Sequence, residues 1–335
     1  MLSPTNKYQQ SKRVYRSHQK GLLVFLLICV CLLSLILVEK RNIQDFFKLY
    51  HYHAPAAVLN LAQEDTMTAY ATKIFKVNHP SIENEQTFSV NCPNDGGEKT
   101  IVLGCYHTDQ AGIFLLNVND SRLSGVEQVT AAHEMLHAAY DRLSSSERNK
   151  VDVMLLNFYN HDLKNARIRQ DIGLYRQTEP HDVVNEMHSV FGTEIANLPA
   201  PLESYYKRYF TDRQKIAAYA SQYQAAFTTR QDQVTQDDTQ LSSMKTQIDT
   251  MEATVKSMYS AITSEQNTLN TEKTSDIPAY NSAIPNYNQQ VDTYNSEVAS
   301  LQNLIADYNS LVSTRNGVAL VENHLYEELG AASTK

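Results

Sequence analysis

The stretch "VTAAHEMLHAAYDRL", residues 129–143, sets His133 and His137 four positions apart, with Glu134 directly after the first. On an α-helix, positions i and i+4 share one face about a turn apart, so both imidazoles can aim at one point. Glu134 is rotated about 100° from His133, near enough to reach a water at that point without being a ligand itself. Two imidazoles and a carboxylate suit zinc and leave a fourth position for water. The spacing therefore predicts a helix with His133 and His137 as ligands of Zn2+ and Glu134 as the catalytic base. Small neighbours, Ala131, Ala132, Ala138 and Ala139, leave room for other elements to approach. The bland alternative is a solvated helix face, or a core histidine with a hydrogen-bonded partner.

Working outward, Ser124-Gly125-Val126-Glu127 reads as a capping box that opens this helix, and Ser144-Ser145-Ser146-Glu147 as one that opens the next. Upstream, "TFSVNC" (87–92), "TIVLGCY" (100–106) and "GIFLLNV" (112–118) read as short strands between turn residues. Residues 41–80 read as helix. Downstream, a helix is expected from Pro180 to a stop at Gly192. The expected class is α+β, with a metal-binding domain over 55–210.

A third ligand is needed, and "HDVVNEMHSVFGTE" (181–194) offers it. His-Glu-x-x-His followed on a later helix by Asn-Glu-x-x-Ser, here Asn185 to Ser189, resembles the gluzincin superfamily of thermolysin-like zinc metallopeptidases. The resemblance covers about residues 85–195. It implies Glu186 as third ligand, peptide-bond hydrolysis of a peptide or protein substrate, and a strand, "GIFLLNV", that pairs with extended substrate at the cleft edge. The chain departs from the pattern in a longer gap between His137 and Glu186. Val190 also stands where the family has an aspartate that orients a ligating histidine, which leaves Asp182 or Glu194 for that task. Glu194 is the rival third ligand, and His188 falls on the opposite side of the helix from Glu186. His181 or a tyrosine of "ESYYKRYF" (203–210) is open as a transition-state hydrogen-bond donor.

The chain of 335 residues has a formal net charge of −8. Residues 1–20 hold Lys7, Lys12, Arg13, Arg16 and Lys20 and no acid, so the remainder is more acidic still. That balance argues against nucleic acid as a partner. The uncharged run "GLLVFLLICVCLLSLILV" (21–38) is expected to be an uncleaved transmembrane anchor, with the basic tail cytoplasmic and the rest extracytoplasmic. Residues 39–54, including His51 and His53, read as a linker. Cys92 and Cys105 flank an Asp95-Gly96-Gly97 turn and are expected to form a disulfide stapling a hairpin.

Beyond residue 211 heptads take over. Val234, Leu241, Ile248, Val255, Ile262 and Leu269 recur every seven, and Ile277 to Val312 alternate in threes and fours. An antiparallel coiled-coil hairpin is expected over 211–315, regular in its second arm only beyond Pro285, with a C-terminal tail over 316–335. It offers a surface for a protein partner. Two other function classes remain: an adhesin-like interaction protein with a non-catalytic metal fold, and a zinc hydrolase of cell-wall amides.

Overall fold

A computed structural model of the protein describes residues 25–27, 29–30, 39–93, 102–108 and 111–329. Three helices lead in: α1 (Lys40–Tyr50), α2 (Ala56–Glu64) and α3 (Ala69–Val77). They are followed by β1 (Ser81–Glu83), α4 (Glu85–Asn91), β2 (Gly104–His107) and β3 (Gly112–Leu116). Five helices complete the body: α5 (Val126–Asp141), α6 (Ser145–Asn157), α7 (Ala166–Thr178), α8 (Val183–Glu194) and α9 (Ala200–Tyr206). Two long helices end the chain, α10 (Arg213–Ser275) and α11 (Ile277–Glu328).

The α+β expectation is thereby corrected: the described chain is mostly helical, with one sheet of three short strands in the order β1-β3-β2. β3 is central, parallel to β1 and antiparallel to β2. "TFSVNC", read as a strand for its Thr, Phe and Val, is α4 instead. The Asn84 side chain accepts from the Thr87 amide and caps that helix, and Phe88 is buried beneath it. Local capping outweighed side-chain preference. The Cys92–Cys105 disulfide, with Cα atoms 5.9 Å apart, consequently ties the end of a helix to a strand rather than two strands of a hairpin.

The membrane anchor is also corrected. Most of residues 21–38 lies outside the described residues, as do residues 1–20, and among the described residues no helix is long and apolar enough to cross a membrane. Of the run itself only residues 25–27 and 29–30 are described, and these are helical. The single-pass membrane location has no support in the fold.

The core forms around α5. Ala131, Ala132, Met135, Leu136, Ala138 and Ala139 are buried against Ile113 and Leu115 of β3, Ile74 and Phe75 of α3, and Met187 and Phe191 of α8. No capping box opens α5. Gly125 stands at its N-cap with φ 98°, and the Glu127 carboxylate instead accepts from the Val118 amide at 2.9 Å. The box at Ser144 and Glu147 does form. Gly192, expected to stop α8, lies inside it: a Cβ there would stand 2.5 Å from Leu136 Cδ1 and 2.8 Å from Tyr206 Cε1. It is the point where α8 crosses α5.

α10 and α11 are 63 and 52 residues long, with only Asp276 between them. The Asp276 side chain accepts from the Ala279 amide at 3.1 Å, and Pro278 sits in the first turn, where its missing amide has no partner to lose. The irregular start expected before Pro285 is absent; α11 passes through it. Phe227–Tyr326, Gln231–Glu322, Asp238–Arg315 and Tyr259–Tyr294 contacts place the two helices antiparallel in one continuous register. Residues 316–328, read as tail, continue α11, and Leu325 and Leu329 are buried with Leu123 and Val126 at the hairpin's base.

Candidate metal centre

α5 is buried on nearly every side, so its polar residues face other protein rather than bulk water. His133 and His137 stack edge to face on it, ring centroids 4.7 Å apart. α8 crosses at Gly192 and sets its own first turn over them. Glu186 Oε1 stands 3.4 Å from His137 Nε2, and Oε2 stands 3.6 Å from His133 Nε2. One ligand atom from each residue lies within 4.8 Å of the others. Four-coordinate zinc with arms of about 2.0–2.1 Å spaces its donors about 3.3 Å apart. Two imidazole nitrogens and a carboxylate at this spacing fit a metal ion, and His133, His137 and Glu186 form a group that can bind one.

The electrostatics agree. Burial pushes the Glu186 carboxyl up, but the His137 and His133 imidazoles beside it outweigh burial and hold it below the usual carboxylate range. Burial likewise lowers His133, yet its hydrogen bond to Glu186 and the charges of Glu134, Glu186 and Glu194 hold it up to about 9. The carboxylate thus favours the protonated form of the His133 imidazole. A cation at the same point would displace that proton, as metal binding to histidine does.

Glu134 is buried and lines the same cleft, a cavity of about 380 Å³. β2 runs past it at very close range: a Cβ on Gly104 would stand 2.9 Å from Glu134 Cγ and 2.6 Å from Thr130 Cγ2. Only glycine permits this approach. A glycine inside a strand signals just such a contact, and Gly104 was a signal available in the sequence. Among the described residues β2, not β3, is the edge strand at the cleft, since "GIFLLNV" is paired on both sides and is not at the sheet's edge.

The other expected residues fall elsewhere. Glu194 lines the cleft, but its Oε2 pairs with Arg167 and accepts from Gln224 Nε2 at 2.7 Å, outside the histidine group. Asp182 is exposed at the cleft rim, and His181 is exposed outside it. His188 is fully buried, its Nε2 2.9 Å from the Tyr205 hydroxyl, and Tyr206 and Tyr209 are buried with it. None of these three tyrosines lines the cleft. Tyr106, Tyr175 and Tyr223 do, and they come from β2, α7 and the base of α10. Tertiary packing brings the last two there, and nothing in their local sequence marks them. No family model matches the chain, and no curated protein or solved structure matches it either.

Proposed function

We propose that the protein is a zinc metallopeptidase that hydrolyses peptide bonds at the His133, His137 and Glu186 group. The observation that carries this reading is the convergence of those three side chains on one point, with the Glu134 carboxylate on the wall of the same cleft. Three protein ligands of nitrogen and oxygen type leave a coordination position open, the pattern of catalytic rather than structural zinc sites. Bound zinc supplies a Lewis acid that polarises a carbonyl and acidifies water.

The chain's own groups do the rest. His133 and His137 are fixed by a helix buried on both flanks, and Glu186 is held by the crossing at Gly192, so the ligands are preorganised. Glu134 takes the proton of the attacking water and gives it to the leaving amine nitrogen. Among the described residues β2 is the sheet's edge strand beside the cleft, where an extended peptide adds by main-chain hydrogen bonds. Tyr106, Tyr175 and Tyr223 are the candidate hydroxyl donors to a developing oxyanion.

The test is digestion of a peptide library by the zinc-loaded full chain beside its Glu134→Gln variant. Cleavage by the first, and cleavage slower by about 10²-fold or more by the second, with equal zinc in both, is expected. Equal cleavage by both variants contradicts the role of Glu134. A zinc-loaded wild type that cleaves no peptide contradicts the peptidase reading.

A further inference from the structure

A second cavity, of about 410 Å³, opens beside the metal cleft. Leu103, Tyr175, Glu194 and Tyr223 line both, so the two cavities adjoin across these residues. Leu174 from α7, Val190 from α8, Phe227 from the base of α10, and Tyr326 and Leu329 from the returning end of α11 give the second a largely apolar wall, with Arg167, Asp171, Gln224, Thr228 and Gln231 as its polar groups. The hairpin therefore closes a pocket of the body instead of standing apart from it. Phe227 and Tyr326 face one another with ring centroids 4.9 Å apart and fix that wall across the two helices.

The cation in the pocket, Arg167, is already matched. It pairs with Glu194, and its Nη1 lies 2.8 Å from Asp171 Oδ2. A charged ligand group would have to break one of those pairs, whereas an apolar group only removes carbon surface from water. We propose that this cavity is a specificity pocket for a large apolar or aromatic side chain of the substrate, flanking the bond placed at the His133, His137 and Glu186 group. This rests on the peptidase reading for the identity of the substrate. The hairpin is then part of the substrate site, with Phe227 and Leu174 as its specificity-determining residues. Burying one large apolar side chain changes selectivity on the order of ten- to a hundredfold.

The chain has no tryptophan, so a tryptophan-bearing peptide can be followed by its own fluorescence. An acetylated hexapeptide with one tryptophan is titrated with the zinc-loaded full chain and with Leu174→Arg and Phe227→Asp, each checked for an unchanged circular dichroism spectrum. A blue shift of the emission with wild type, and at least tenfold weaker binding by either folded variant, is expected. In the library digest, cleavage should favour Phe, Leu or Trp at one fixed distance from the cut, and the variants should lose that preference. Tryptophan binding that the variants weaken, without any cleavage, keeps the pocket and removes the hydrolytic reading. Cleavage with no side-chain preference and no blue shift keeps hydrolysis and overturns the pocket. Equal tryptophan binding by wild type and both variants overturns it as well.

Discussion

The helical body and the hairpin that leaves it are built from the same element under opposite conditions. In the body, α5 buries Thr130, Glu134 and His137 along with its alanines, and Glu186 of α8 is buried opposite them. In the hairpin most polar positions face solvent, and Thr235, Thr239, Thr246, Thr250 and Thr254 return their hydroxyls to carbonyls four residues back. A buried polar group must find a partner or an ion, while an exposed one has water. The chemistry should therefore sit in the body and be sensitive to single atoms. The outer hairpin should tolerate change, except at its base, where it joins the body.

The strongest break of that contrast is at Glu134. Glu134→Gln keeps the shape of the side chain and removes its basicity, so kcat should fall about 10²–10⁴-fold with zinc content unchanged. Turnover close to wild type would remove Glu134 from the chemistry. Next comes the crossing at Gly192, where a methyl group would overlap Leu136 and Tyr206. Gly192→Ala should cost about 1–3 kcal/mol in denaturant unfolding and weaken zinc binding with it, because the same crossing positions Glu186. Stability lost without loss of zinc affinity would uncouple the two.

A smaller effect of the opposite sign is expected at Asp65. It is fully buried, and neither carboxyl oxygen has a hydrogen-bond partner among the described residues. Burial, with the Glu64 charge adding to it and Lys215 opposing, pushes its carboxyl well above the usual range. A raised folded-state pKa means that the stability it contributes is complete only below the unfolded value of about 3.9, and is lost as pH rises through the folded value. Asp65→Asn should thus melt higher than wild type at pH 7, with the difference shrinking as pH falls towards 4. A lower melting temperature at pH 7 would show that the carboxylate has a role of its own. The smallest effect belongs to the hairpin surface. Arg315→Ala breaks the exposed pair with Asp238, whose Nε–Oδ1 distance is 2.8 Å, and should leave the melting temperature and activity unchanged within error. A clear change in either would give the outer hairpin a role that its exposure does not suggest.

Much of the candidate site was legible because it follows from helix geometry. The i, i+4 spacing of His133 and His137 fixes a shared face, and the Val183, Glu186, Val190 stripe turns Glu186 inward. The two hairpin arms follow from heptads, and Cys92 with Cys105 from their isolation. What was illegible depended on contacts between distant segments. α4 reads as a strand until the Asn84 cap is counted. α7, with Gly173 in its middle, shows weak periodicity and owes its start to the Asn165 side chain accepting from the Ile168 amide. Gly192 reads as a stop because its reason, the approach of Leu136 and Tyr206, lies in two other helices. The second pocket takes walls from α7, α8, α10 and α11, and no local pattern announces such a meeting.

His133, His137 and Glu186, from two crossing helices, are proposed to hold one zinc ion. The most direct test of this is the metal content, by mass spectrometry of digested protein, of the full chain and three variants purified in parallel. Wild type and Glu194→Ala should each carry one zinc per chain, while His133→Ala and Glu186→Ala should carry far less than one. Full zinc in His133→Ala, or zinc lost in Glu194→Ala and retained in Glu186→Ala, would contradict the assignment.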